Sequence, residues 1–190
     1  MSSSSFPSAA SSVVDAFSPC APLSLSWGEV SPAEGAQLSP AAVARVPALR
    51  LAGEDAASCA GKLYTVILSD PDAPNAAEPK FAEWLHWLQC NASAEDLAGT
   101  GEALVAYFGS APGNGAGVHR YCIVVYEQPA GAIGGDEPRI PLHCGFAPRR
   151  SFNSRAFAAR HGLRPVAAFT YCAEWDESVP ELHKLILPVE

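Results

Sequence analysis

A chain of 190 residues that is 48% hydrophobic can bury a core of ordinary size, and it suits one domain better than two. Its 12 lysines and arginines against 20 acids give a formal charge of −8, a field that repels nucleic-acid phosphate and anionic membrane surfaces, so any phosphate must be captured locally. No apolar run approaches the roughly 18 to 20 residues that cross a bilayer, and the serine-rich start lacks the basic and apolar parts of a signal peptide.

A cytoplasmic monomer without a nucleic-acid partner or a membrane-spanning segment is expected. Cys20, Cys59, Cys90, Cys122, Cys144 and Cys172 are spread through the chain with no CxxC spacing, so reduced thiols are expected.

Residues 1–20 are dominated by serine, alanine and proline with few apolar side chains, which predicts a disordered or loosely draped tail before a domain spanning 21–190. Leu23, Leu25 and Trp27 alternate with polar residues as a half-buried strand does. Ser39 before Pro40 caps a short helix that Pro47 stops, Leu49 to Leu51 form a further strand, and 52–61 is a loop.

The run from Leu63 to Ser69 is almost wholly apolar and rich in β-branched residues, as a strand buried on both faces requires. Proline cannot donate to a sheet ladder, so Pro71 and Pro74 end this central strand and hold Asp70 and Asp72 in a stiff turn at its mouth. An ordinary Asp–Pro turn looks the same in isolation, so a functional reading needs partners elsewhere.

Phe81 to Asn91 forms the next strand, with Trp84, His86, Leu88 and Cys90 on one face and Leu85, Trp87 and Gln89 on the other. After a polar loop over 92–102, a strand at 103–108 ends at Gly109, and a glycine-rich loop leads into the strand 119–127. A loop-rich stretch at 128–150 precedes a helix over 151–161, N-capped by Ser151 and closed by Gly162. A last strand covers 166–175. The helix over 179–187 carries Val179, Leu182, Leu185 and Ile186 on one face.

Three apolar strands thus end in polar residues: Asp70 with Asp72, Trp84 with His86, and His119 with Tyr121. Alternation puts each strand pair on one face, so they converge if the strands are neighbours. The glycine loop adds bare backbone, whose N–H groups near Gly109 and Ser110 can face an anion. It is neither GxGxxG nor a Walker sequence.

The segments DPDAP at 70–74, EWLHWL at 83–88, YFGSAPGNGAGVHRY at 107–121 and AEWDESVPELHKLI at 173–186 closely resemble the phosphatidylethanolamine-binding protein family, whose members include kinase and protease inhibitors and flowering regulators. The resemblance runs from about residue 23 to 187. It implies a mainly β fold, a large antiparallel sheet packed on a smaller one with a few flanking helices. It also implies a small pocket for phosphate or a phospholipid headgroup such as phosphorylethanolamine, a kinase or protease as protein partner, and no cofactor or metal.

By the same resemblance the ligand-binding residues are Asp70, Trp84, His86, Gly109, Ser110, Pro112, His119 and Tyr121. A partly protonated imidazole is a charge-assisted donor to phosphate. Tyr121 offers a hydroxyl, Ser110 its backbone N–H, and Trp84 a wall whose ring face attracts an ammonium. Asp70 orients a histidine or meets that ammonium. Two places depart from the family pattern: Gly109-Ser-Ala-Pro-Gly113 stands where many relatives read GSGPP, and Ser178 and His183 stand where tyrosines are common.

A hydrolase or metal-dependent phosphatase built on Asp70, Asp72, His86 and His119 is the alternative. The motif segments contain no HExxH, no GxSxG and no cysteine beside a histidine, so a binding protein rather than an enzyme is expected.

Overall fold

A computed structural model of the chain describes residues 7–19, 21–52 and 61–189. The predicted loop at 52–61, the start of the predicted tail, and Cys20 and Cys59 fall largely or wholly outside them. Short strands β1 (Leu23–Ser26) and β2 (Ala48–Leu51) pair antiparallel as one sheet. The other sheet contains β3 (Tyr64–Asp70), β4 (Trp84–Ala92), β5 (Glu102–Val105), β6 (His119–Glu127) and β7 (Arg164–Ala173) in the order β5-β4-β3-β6-β7, all antiparallel. A large antiparallel sheet on a smaller one is therefore present, with β3 central as its composition predicts.

Alternation sorts the side chains of β3 into two cores, which is why every residue of the strand is buried. Tyr64, Val66 and Leu68 pack with Leu25, Leu49 and Leu51 of the small sheet. Ile67 faces the opposite side with Cys122, Val124, Phe157 and Leu163.

Ala10, Val13 and Val14 complete that second core. The sequence assigns these residues to a loose tail, yet Ser8–Ser12 form a 3₁₀ helix docked on the sheet. Arg155 clamps the segment, donating to the Ser12 and Ser11 carbonyls at 2.8 and 2.6 Å and to Asp15 at 2.9 Å. Three small apolar side chains suffice because the sheet supplies the other half of the contact.

A β-bulge in β4 changes the predicted faces. Leu68 pairs with Trp87 and Ser69 with Leu85, so His86 is the extra residue. Two residues on a bulged strand oppose one on its partner, and the alternation shifts by one. Leu88 and Cys90 consequently join Leu85 in the second core, and Trp87 turns to the small-sheet side. The predicted grouping of Leu88 and Cys90 with His86 is lost.

Helix α1 (Ser154–Arg160) starts later than predicted. Its N-cap is Asn153, whose side chain accepts from the Ala156 N–H at 2.8 Å, and Ser151 lies outside it with φ of 58°. The N–H groups of residues 151 and 152 donate instead to the Phe81 and Glu83 carbonyls. The Glu83 carboxylate also takes the Ser154 N–H at 2.8 Å and its hydroxyl at 2.5 Å. Strand β5 stops at Val105 because the next amides turn to other partners, Ala106 to the Ile140 carbonyl and Phe108 to that of His86.

Helix α2 (Val179–Lys184) buries Val179, and Ile186 beyond it is also buried, but Leu185 is exposed. Six residues are too few to carry a helical stripe as far as 185. Cys90, Cys122, Cys144 and Cys172 are free thiols. Among the described residues no helix is long and apolar enough to cross a membrane.

Candidate functional site

The antiparallel order brings the end of β3 beside the beginnings of β4 and β6. Asp70 stands opposite Trp84, and His119 and Tyr121 open the neighbouring strand. At this edge lies a cavity of about 190 Å³, smaller than the ~300–1,000 Å³ of pockets for drug-sized ligands. Asp70, Trp84, His86, Pro112, His119 and Tyr121 line it together.

Gly109 and Ser110, expected there as well, do not line it. Gly109 passes so close to the turn at Val43 that a Cβ would lie 2.5 Å from the Val43 carbonyl oxygen, which accounts for the glycine. Ser110 is fully buried, its hydroxyl 2.8 Å from that of Tyr171.

On the β6 side His119 Nδ1 donates to Asp70 Oδ2 at 2.7 Å, and the Asp72 N–H donates to Asp70 Oδ1 at 2.7 Å. Asp72 turns away from the cavity to Arg120, which donates from its backbone N–H at 2.8 Å, Nε at 2.9 Å and Nη2 at 2.7 Å. Burial pulls the His119 pKa down, but the hydrogen bond and charge of Asp70 outweigh it and hold the imidazolium above its ordinary range. Burial pushes Asp70 itself up, and its bonds to His119 and Asp72 only partly restrain it. Asp72 resists its own burial through Arg120 and stays low. His119 Nε2 is buried without a hydrogen-bond partner, a costly state unless a ligand supplies one.

The β4 side differs. His86 Nδ1 is 2.8 Å from the Phe108 carbonyl, so that nitrogen carries the proton and donates. Burial lowers the His86 pKa to about 3, and the nearby Arg149 charge adds to the effect. The ring is therefore neutral near pH 7, and its Nε2 presents a lone pair. This corrects the expectation that both imidazoles are charge-assisted donors.

Arg149 is wholly buried, and no carboxylate among the described residues pairs with it. Nη1 donates to the Leu85 and His86 carbonyls at 3.2 and 3.0 Å, and Nη2 donates to the Ala106 carbonyl at 2.8 Å.

Aromatic rings make the remaining walls. Trp84 lies against His86, centroids 4.3 Å apart, and the Arg149 guanidinium carbon sits 5.6 Å from its ring centroid. Tyr121 stacks on Tyr171 at 5.1 Å, and burial pushes both phenols well above their usual range, so they stay protonated.

Phe81, Phe146, Arg150 and His183 also line it, and of these four sequence reasoning missed all but the departure noted at His183. His183 lies with Nε2 2.9 Å from the Ala111 carbonyl, so the two departures at Ala111 and His183 meet across the rim. Ser178 donates instead to Asp176, from N–H at 2.9 Å and from its hydroxyl at 2.5 Å. Nothing in the spacing of Arg149 and Arg150 marks them, because they end and cap a single 3₁₀ turn, Ala147–Arg149, that carries no hydrophobic period.

Among the described residues no group of three His, Cys, Asp or Glu side chains is arranged to hold a metal ion. What the cavity offers is a donor from His119, an acceptor from His86, the Tyr121 side chain and apolar walls.

Comparison with known proteins gives a consistent result. The sequence profile of a family described as phosphatidylethanolamine-binding protein matches residues 26–170. Protein MOTHER of FT and TFL1 homolog 2 from Oryza sativa subsp. japonica is 37% identical over 151 residues, 80% of this chain and 79% of that protein. The fold is similar to that of carboxypeptidase Y inhibitor in complex with its cognate proteinase, with a TM-score of 0.71, 22% identity, and 88% of this chain and 91% of that one covered. It is also similar to a phosphatidylethanolamine-binding protein from Plasmodium vivax, with a TM-score of 0.62, 15% identity, and 87% and 92% covered.

Proposed function

The chain belongs to the phosphatidylethanolamine-binding protein family, and we propose that its cavity binds phosphate or the phosphoryl group of a small headgroup, by recognition and without turnover. The observation that carries this reading is His119. Its Nδ1 is committed to Asp70, which favours the cation, and its buried Nε2 lacks a partner. A cationic N–H donor in a small, partly buried site matches an anionic oxygen.

A partner role belongs to the same proposal: the filled or empty pocket sets how the protein engages a partner enzyme in the cytoplasm, a kinase or a protease. The solved relative held with its cognate proteinase supports an inhibitory mode in this fold.

Calorimetric titration with inorganic phosphate and with sulfate at pH 6.5 tests the pocket. Wild type is expected to bind both and His119→Ala neither, with thermal melts verifying folding, because loss of a buried polar partner costs about 1–3 kcal/mol. Wild type that binds neither anion defeats the reading. Aryl phosphate offered with zinc, magnesium or manganese is expected to remain intact. Turnover lost in folded His86→Ala, His119→Ala and Asp70→Asn alike would establish a hydrolase instead.

A further inference from the structure

Phe81 lines the cavity, and the backbone fixes it from both sides. Its N–H donates to the Ala73 carbonyl at 3.0 Å, and its own carbonyl accepts the Ser151 N–H at 3.1 Å. Two exposed cations rest on this one ring. The Arg150 guanidinium carbon lies 4.0 Å from the ring centroid, and Lys80 Nζ lies 5.8 Å from it. Arg149 is drawn inward to the Leu85, His86 and Ala106 carbonyls, whereas Arg150, which caps the same 3₁₀ turn, lines the cavity and is exposed.

An aromatic face holds a cation without neutralising it. Neither Arg150 nor Lys80 is paired with a carboxylate among the described residues. Asp70 cannot supply one, because its oxygens take His119 and the Asp72 N–H, and Glu83 cannot, because its oxygens take Ser69 and Ser154. Glu78 is exposed and forms no ion pair among the described residues. Stacking leaves the N–H edge of the guanidinium open, and that edge suits the two oxygens of a carboxylate.

We propose that Arg150, with Lys80 beside it on Phe81, forms a second anion position at the mouth, and that it reads a carboxylate on the substituent of a bound phosphoryl ester. The simplest such ligand is phosphoserine. The inference rests on the phosphoryl-binding reading above and adds to its ligand class. Phosphorylethanolamine remains a ligand. The ammonium that both esters carry can meet the His86 lone pair or the Phe108, Phe146 and Tyr121 rings, which line the cavity with no cation over them among the described residues. A phosphorylated peptide suits the mouth less well, since its serine carboxyl is tied up in an uncharged amide.

The test compares O-phosphoserine with O-phosphorylethanolamine, which differ by a carboxylate in place of one hydrogen, at pH 7.0 where both phosphates are chiefly dianions. Calorimetry on wild type should find phosphoserine bound about fivefold more tightly, the size expected of exposed ion pairs. Arg150→Ala should bring the ratio toward one, Lys80→Ala should lower it less, and Arg150→Glu should reverse it. Both side chains are exposed, so all three variants are expected to melt as wild type does.

Equal affinities in wild type, or a ratio unmoved in both Arg150 variants, would overturn the second anion position while leaving phosphoryl binding intact. Failure to bind inorganic phosphate as well as both esters would instead remove the underlying reading, and the second position with it. Phosphatidylcholine vesicles with and without phosphatidylserine separate the two sources of this headgroup. The formal charge of −8 opposes approach to an anionic bilayer, so no retention is expected and a soluble ester is assigned. Retention on the phosphatidylserine vesicles that is lost in Arg150→Glu would assign the lipid to the same site.

Discussion

On the β6 wall of the cavity His119 donates from Nδ1 to a buried carboxylate, and on the β4 wall His86 donates from the same ring atom to a backbone carbonyl. The cationic neighbours differ in parallel. Arg120 is half exposed and paired with Asp72, whereas Arg149 is wholly buried and donates to backbone carbonyls. Both imidazoles are almost fully buried, yet one is driven cationic and the other neutral. Burial alone disfavours an imidazolium, and a carboxylate at hydrogen-bond distance reverses the outcome. A small pocket thereby holds a donor and an acceptor built from one residue type.

The largest contrast lies between the two arginines. Arg149→Met removes donors from the Leu85, His86 and Ala106 carbonyls and should cost about 3 kcal/mol or more. Arg120→Met leaves Asp72 its bond from the residue-120 backbone N–H and should cost about 1–2 kcal/mol. Urea denaturation of both variants decides the matter, and a smaller loss at 149 than at 120 would reverse the comparison.

Next comes the response to acid. The folded-state pKa of His86 is near 3 against ~6.5 in an unfolded chain, so as pH falls below 6.5 the unfolded state takes up a proton that the folded state refuses. Stability should therefore fall by about 1.4 kcal/mol per unit between roughly pH 6 and pH 4 on account of this one group. His86→Gln should lack that component. Subtracting the two pH–stability curves isolates it from the carboxylates that titrate in the same range, and parallel curves would mean that His86 is not held neutral by burial.

The smallest effect concerns His119, whose folded-state pKa is raised. Its contribution to stability is present below ~6.5 and is lost as pH rises through the higher folded value. Sulfate, which stays a dianion across the range, should bind with an affinity that declines above pH 6.5. In Asp70→Asn the decline should begin below 6.5, with affinity at pH 7 about tenfold weaker. A midpoint that does not move would show that Asp70 is not what keeps His119 charged.

Several of these features are readable along the chain. The two prolines after Asp70 and the apolar run before them identify β3 and its mouth, because chain stiffness and ladder donors are properties of the residues themselves. His119 and Tyr121 share a face for the same local reason. Gly109, by contrast, reads as backbone opened for a ligand, when it is the Val43 turn pressing on it that demands a glycine. Ala10, Val13 and Val14 look like tail because their partners lie on strands more than fifty residues away.

Alternation, proline stops and helix caps depend on neighbours within a few positions, and from them the sequence by itself determined the strands, their order of appearance and the polar residues at their ends. Tertiary structure alone decided the bulge that makes His86 the extra residue, the protonation of the two histidines and the position of Arg149, which bonds carbonyls 43 to 64 residues distant. Burial and through-space charge set those outcomes, and both are properties of the surroundings, not of the residue. Identical imidazoles in similar strands therefore arrive at opposite charge states.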